Sequence, residues 1–171
     1  ILPAEIKAIN CKESGDFTNT SIKGISSSKL GIKTYIENKM GAKGIGQIRD
    51  IALVPAKEWL SQKGIDISKE VSPTPSDFRD SPKLSIYLTA AYFGYLIEKE
   101  LIRQLPKPIP QGIELKKFML AAYNWGPTNL LKMLRRNVSK GQKYSWDDVA
   151  SKSPNETQKY IDGIVERLTN G

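Results

Sequence analysis

The longest helical pattern in the chain begins at Ser81-Pro82, and it constrains the fold class more than any other stretch. A serine followed by proline at the first helical position is a strong helix start. Leu84, Leu88, Ala91, Tyr92, Tyr95, Leu96 and Ile102 then hold helical spacing for about five turns of 3.6 residues. Pro106, Pro108 and Pro110 end the pattern and stiffen a surface linker. Such a stripe predicts a central core helix against which the shorter segments pack.

Those segments are mostly helical as well. Leu2, Ile6, Ile9 and Glu13 fall at i, i+4, i+7 and i+11, which predicts a first helix over 2–14 that stops near Gly15. A helical pair is expected over 45–53 and 56–62, separated by Pro55, and 64–80 reads as a polar connector. Leu115, Phe118, Met119 and Ala122 predict a helix that must break at Gly126-Pro127. Leu130, Leu131 and Leu134 mark a short helix ending in Arg135-Arg136, and 137–152 reads as loop with one turn between Ser145 and Ala150. Ser153-Pro154 repeats the start signal ahead of Ile161, Ile164, Val165 and Leu168. Only Leu30, Ile32, Thr34 and Ile36 alternate as a strand would. The expectation is a mainly α fold with at most a small β-hairpin between 20 and 37. Its 171 residues suit one domain and are short for two.

Composition narrows the chemistry. The chain has no His, which excludes Ser-His-Asp and Cys-His catalysis, the common zinc sites and any histidine base. Its single cysteine, Cys11, cannot form an intramolecular disulfide and reads as a small buried hydrophobe. Carboxylates, tyrosines and amides are left to do the work of an enzyme, with no cofactor implied. No apolar run is long enough to span a bilayer. The 26 basic residues exceed the 18 acidic ones, a net charge of +8 that attracts polyanions: nucleic acid, anionic lipid or the acidic polymers of a cell wall. The chain opens at Ile1 without a basic, then apolar leader, which is expected of a processed protein or of a domain from a longer one.

Glu13 is the most informative carboxyl group. It continues the apolar stripe of the first helix, where loss of water disfavours its charged form and turns a glutamate into a proton donor near neutral pH. The alternative is a glutamate at a fraying helix end, pointing outward.

Four separated stretches, taken in order, resemble the lytic transglycosylase family, whose catalytic domain shares the goose-type lysozyme fold. Glu13-Ser14 resembles the family's catalytic Glu-Ser pair at the end of the first long helix. Gly41-Ala42-Lys43-Gly44-Ile45-Gly46-Gln47 resembles its Gly-Ala-x-Gly-Leu-Met-Gln turn. Ala122-Tyr123-Asn124-Trp125-Gly126-Pro127 resembles its Ala-Tyr-Asn-Ala-Gly-Pro segment, and Glu156-Thr157-Gln158-Lys159-Tyr160-Ile161 its Glu-Thr-x-x-Tyr-Val motif. Asp80 through Leu96 suits the family's central helix. Gly46 stands where the family has Met, Trp125 where it has a small residue, and 17–40 reads as an insertion.

The resemblance implies cleavage of the bond between N-acetylmuramic acid and N-acetylglucosamine in peptidoglycan. Glu13 would protonate the glycosidic oxygen and then, as a carboxylate, take the proton of the muramic 6-hydroxyl, closing a 1,6-anhydro ring. Tyr160 would orient Glu13 or stabilise developing charge. Ser14, Gln47, Tyr123, Asn124 and Glu156 would bind the sugars. Plainer roles are helix-end capping for Ser14 and Asn124 and core packing for Tyr160. The implied partner is the glycan strand, met by a monomer in a bacterial envelope or carried by a phage, with no nucleic acid and no membrane span. Three other readings stand beside this one: a hydrolase using Asp16 or Asp50 to position water, a glycan binder that does not cut, and a basic nucleic-acid module.

Overall fold

The structure, a computed structural model, describes Ile6, Ile9 and residues 46–170. It is mainly α-helical, and the described residues contain no β-strand. The expected hairpin within 20–37 lies outside them, as do Glu13, Ser14, Cys11 and Asp16. The chain divides into two compact units, Ile1–Tyr92 and Phe93–Gly171.

In the first unit Ile6 and Ile9 are helical and buried, as their stripe predicts. Helix α1, Asp50–Gln62, buries Ala52, Ala56 and Leu60. The expected pair of helices is one helix, with Pro55 inside it. Proline removes its own N–H bond to the Ile51 carbonyl and crowds that carbonyl with its ring, and the helix runs through it in its second turn, where Ile51 is exposed. Two 3₁₀ turns, Ile67–Glu70 and Phe78–Asp80, punctuate the polar connector; Asp66 caps the first through Ser68 N–H and Asp77 the second through Arg79 N–H. Helix α2, Pro82–Tyr95, starts where Ser81-Pro82 places it, with Ser81 Oγ accepting from Leu84 N–H at 3.4 Å.

The second unit takes in the end of α2, which continues as a π-helical segment, Leu96–Leu101, and a last turn, Ile102–Gln104. Here the expectation fails in one particular: Ile102 is exposed and Leu101 is fully buried. Leu96 and Leu101 are five residues apart, about 140° out of phase on an α-helix of 3.6 residues per turn. Widening the turn, seen in the bond from Ile102 N–H to the Ile97 carbonyl, brings both leucines to the core.

Helix α3, Gly112–Trp125, is the hub of this unit. Phe118 through Ala122 are five consecutive buried residues, the signature of a helix enclosed on all sides. It packs against α4, Pro127–Asn137, against α6, Asn155–Asn170, against the short α5, Trp146–Val149, and against the π segment. Phe118 stands edge-to-face with Tyr144 and Trp146, ring centres 5.3 and 5.7 Å away. Glu114 Oε2 accepts from Trp146 N–H at 2.7 Å and so fixes the start of α5, whose capping box is completed by Ser145 and Asp148. Helix α6 begins one residue past the expected Pro154, whose carbonyl accepts from Gln158 N–H at 3.1 Å, while Ser153 Oγ turns back to donate to the Ala150 carbonyl.

Candidate functional site

The Gly-rich stretch is described from Gly46 onward. Gln47 has a φ of 48°, the left-handed region that non-glycine residues seldom occupy. Its two neighbours are tied down by buried side chains. Gly46 N–H donates to Ser85 Oγ at 3.4 Å, and the Ile48 carbonyl accepts from Arg79 Nη1 at 3.0 Å. Arg79 is 5% exposed. Its guanidinium grips Asp77 in a bidentate fork, Nε to Oδ1 at 3.0 Å and Nη2 to Oδ2 at 2.7 Å, and pairs with Asp50 Oδ1 at 2.7 Å. The Asp77 bond, ahead of the Asp50 pair, holds the Arg79 pKa above its usual value. Asp50, one of the two acids considered for positioning water, is thus an exposed first-turn residue of α1 engaged with Arg79. Nothing in the pattern singles out Arg79, which sits in a stretch that reads as a polar connector.

Tyr123, Asn124, Glu156 and Tyr160 all belong to the second unit, on α3 and α6. The Ala122–Pro127 stretch ends α3 and starts α4 through one glycine: Gly126 N–H donates to the Ala122 carbonyl at 3.0 Å, and the Gly126 carbonyl accepts from Leu130 N–H at 3.2 Å. Gly126 has φ 92° and ψ 141°, a conformation open in practice only to glycine. This abrupt turn leaves Tyr123 and Asn124 in the last turn of α3, both half-buried. Tyr123 packs edge-to-face on Phe93 at 6.0 Å.

Asn124 meets the fourth motif directly. Thr157 Oγ1 donates to Asn124 Oδ1 at 2.9 Å, with Thr157 2% exposed. The bond fixes the amide plane and turns the Nδ2 group, a donor of two hydrogens, to the side away from Thr157. Tyr160 lies one turn further along α6 on the same buried stripe as Thr157, Ile161 and Ile164, and is 5% exposed. Glu156 is exposed in the first turn of α6, where a carboxylate suits the helix dipole. Thr157 is the residue that sequence reasoning missed; its place on that stripe, three residues before Tyr160, was the available signal.

A surface groove of about 410 Å³ in the first unit is lined by Lys57, Leu60, Ser61, Asp66, Ile67 and Phe78 among others, and includes none of the expected site residues. Among the described residues no group of three or more Cys, Asp or Glu is placed to hold a metal ion. No described helix is long and apolar enough to cross a membrane. No protein-family model, no curated protein and no solved structure matches this chain.

Proposed function

We propose that this chain is a peptidoglycan lytic transglycosylase acting at a bacterial envelope, from the cell itself or from a phage. The observation that carries the reading is the 2.9 Å hydrogen bond between Thr157 and Asn124. It joins the two C-terminal stretches that resemble the family, so segments singled out separately by pattern are in direct contact in the second unit. The restrained left-handed turn at Gln47 supports it further, since backbone strain gathers at ligand-binding positions. Glu13 and Ser14 enter from the sequence alone.

In this reading Glu13 is the proton donor to the glycosidic oxygen and then the base that removes the muramic 6-hydroxyl proton. The 6-oxygen attacks the anomeric carbon as the bond to N-acetylglucosamine breaks, so no water is consumed. Asn124, its amide oriented by Thr157, donates to a sugar or acetamido oxygen. Gln47, Tyr123, Ser14 and Glu156 are the further sugar-binding residues of this reading, and Tyr160 is its second catalytic residue. Digestion of purified peptidoglycan followed by mass spectrometry tests the proposal. Fragments ending in 1,6-anhydromuramic acid are expected; reducing muramic ends would indicate a hydrolase, and absence of fragments a binder or an unrelated protein.

A further inference from the structure

The positive charge of the chain is concentrated in one segment. From Lys99 to Lys143 there are ten basic and two acidic residues, and ten minus two equals the +8 of the whole chain, so the remainder is balanced. Both acids of the segment are engaged. Glu100 accepts from Tyr95 Oη at 2.8 Å and from Gln104 Nε2 at 3.2 Å, and Glu114 pairs with Lys117 at 2.8 Å. Glu98, just before the segment, is the exposed carboxylate nearest to it in sequence.

Helix α4 gathers part of this charge on one face. Leu130, Leu131, Met133 and Leu134 are buried, and the opposite face exposes Thr128, Asn129, Lys132, Arg135 and Arg136 without an acid. At 3.6 residues per turn the three cations fall within an arc of about 100°. Arg135 Nη2 donates to Gln104 Oε1 at 3.1 Å, which brings α4 alongside the turn that carries exposed Arg103 and leads to exposed Lys107.

We infer that this face, built on Lys132, Arg135 and Arg136 with Arg103 beside them, docks a phosphodiester-linked anionic polymer of the cell wall and holds the protein on its substrate. The inference rests on the transglycosylase reading for the choice of a wall polymer. Charge complementarity favours a chain of repeated phosphates, which guanidinium groups bind through paired hydrogen bonds. The exposed face of α4 has no apolar residue to enter a bilayer, as a surface-lying helix requires. It has no aromatic platform for stacked bases either, Tyr95, Tyr123 and Trp125 being half-buried.

The test measures binding of the whole chain to soluble polyglycerol phosphate as salt is varied. Replacing three phosphate contacts in K132Q/R135Q/R136Q should lower the slope of log affinity against log salt by about 2, at roughly 0.7 per contact. Between 0.05 and 0.2 M salt the wild type then loses roughly tenfold to twentyfold more affinity than the variant. R135K/R136K should keep most of the slope, which separates charge from damage to the fold. An unchanged slope in the triple variant overturns the inference, as does tighter wild-type binding to duplex DNA or to phosphatidylglycerol vesicles. Digestion of walls stripped of phosphate polymer reads cleavage alone: wild type and triple variant should cut them equally. Failure of both to cut counts against the transglycosylase reading, whereas equal cutting with equal salt slopes counts against the docking face only.

Discussion

Thr157 Oγ1 lies 2.9 Å from Asn124 Oδ1, a hydrogen bond between residues 33 apart that links the last turn of α3 to the first turns of α6. Thr157→Val keeps the shape and removes the donor. The half-buried amide oxygen then loses its partner, at a cost of about 0.5–1.5 kcal/mol in stability. The variant should also cut peptidoglycan more slowly than this loss of folded protein explains, because the amide is no longer held. Thermal melting and digestion rates, measured below the melting transition, check both parts; full activity would mean that Asn124 does not depend on its neighbour.

Glu13→Gln should leave the far-ultraviolet circular dichroism unchanged and lower cleavage at least about a hundredfold, since the amide has no acidic proton to give. Near-normal turnover would remove Glu13 from the mechanism.

Arg79→Leu strips a buried guanidinium from Asp77, Asp50 and the Ile48 carbonyl together. Asp77 is 21% exposed and Asp50 81%, so water recovers part of the loss; a destabilisation of about 3 kcal/mol is expected, the low end for breaking a buried pair. Arg79→Lys should not restore it, because an ammonium cannot reproduce the fork on Asp77 and reach Ile48 as well. Urea unfolding of the three proteins provides the comparison.

Gly126→Ala isolates backbone strain. A methyl group there would meet nothing closer than Asn129 Nδ2 at 4.0 Å, so the predicted loss of about 1–3 kcal/mol comes from φ alone. A melting temperature equal to wild type would show that the α3–α4 turn relaxes freely.

Tyr144 sets a limit at alkaline pH. Burial pushes its phenol up to about 12, and its hydroxyl donates to the Pro106 carbonyl at 3.0 Å. The folded pKa exceeds the unfolded one, so this contribution is full below about pH 10 and is lost as pH rises toward 12, amounting to about 2–3 kcal/mol. Tyr144→Phe should flatten that part of the stability curve while lowering stability at neutral pH by about 1 kcal/mol for the lost bond. Denaturant unfolding at intervals between pH 8 and 12 would show it.

Where helices start and stop was legible because Ser81-Pro82 and Gly126-Pro127 act through local chemistry, a cap and a missing N–H, that needs no tertiary partner. Ile102 falls off the core face because the 3.6-residue period does not hold through a stretch whose buried leucines are spaced by five. Pro55 reads as a break because an interior proline loses a bond and crowds the preceding turn, and sequence does not reveal that α1 runs through it beside exposed Ile51. Arg79 was invisible for a different reason: its partners are two residues back, at the head of α1 and on a backbone carbonyl, a set that only folding assembles. The candidate site was legible as motifs, while the bond that unites two of them depends on Thr157, whose hydroxyl finds its partner 33 residues away only on folding.

The π segment lets the α2 extension absorb one residue in a way that its composition conceals. Deleting one residue between Leu96 and Leu101 would let the segment close into regular α-helix without breaking the chain. Leu101 would then follow Leu96 by four residues, about 40° away on an α-helix of 3.6 residues per turn, and everything beyond it would keep its facing. Leu101 would stay in the core, and Gln104 would stay on the side of Arg135. A chain one residue shorter at this point would therefore reach the proline-rich linker at Pro106 in the same register, provided both leucines are kept.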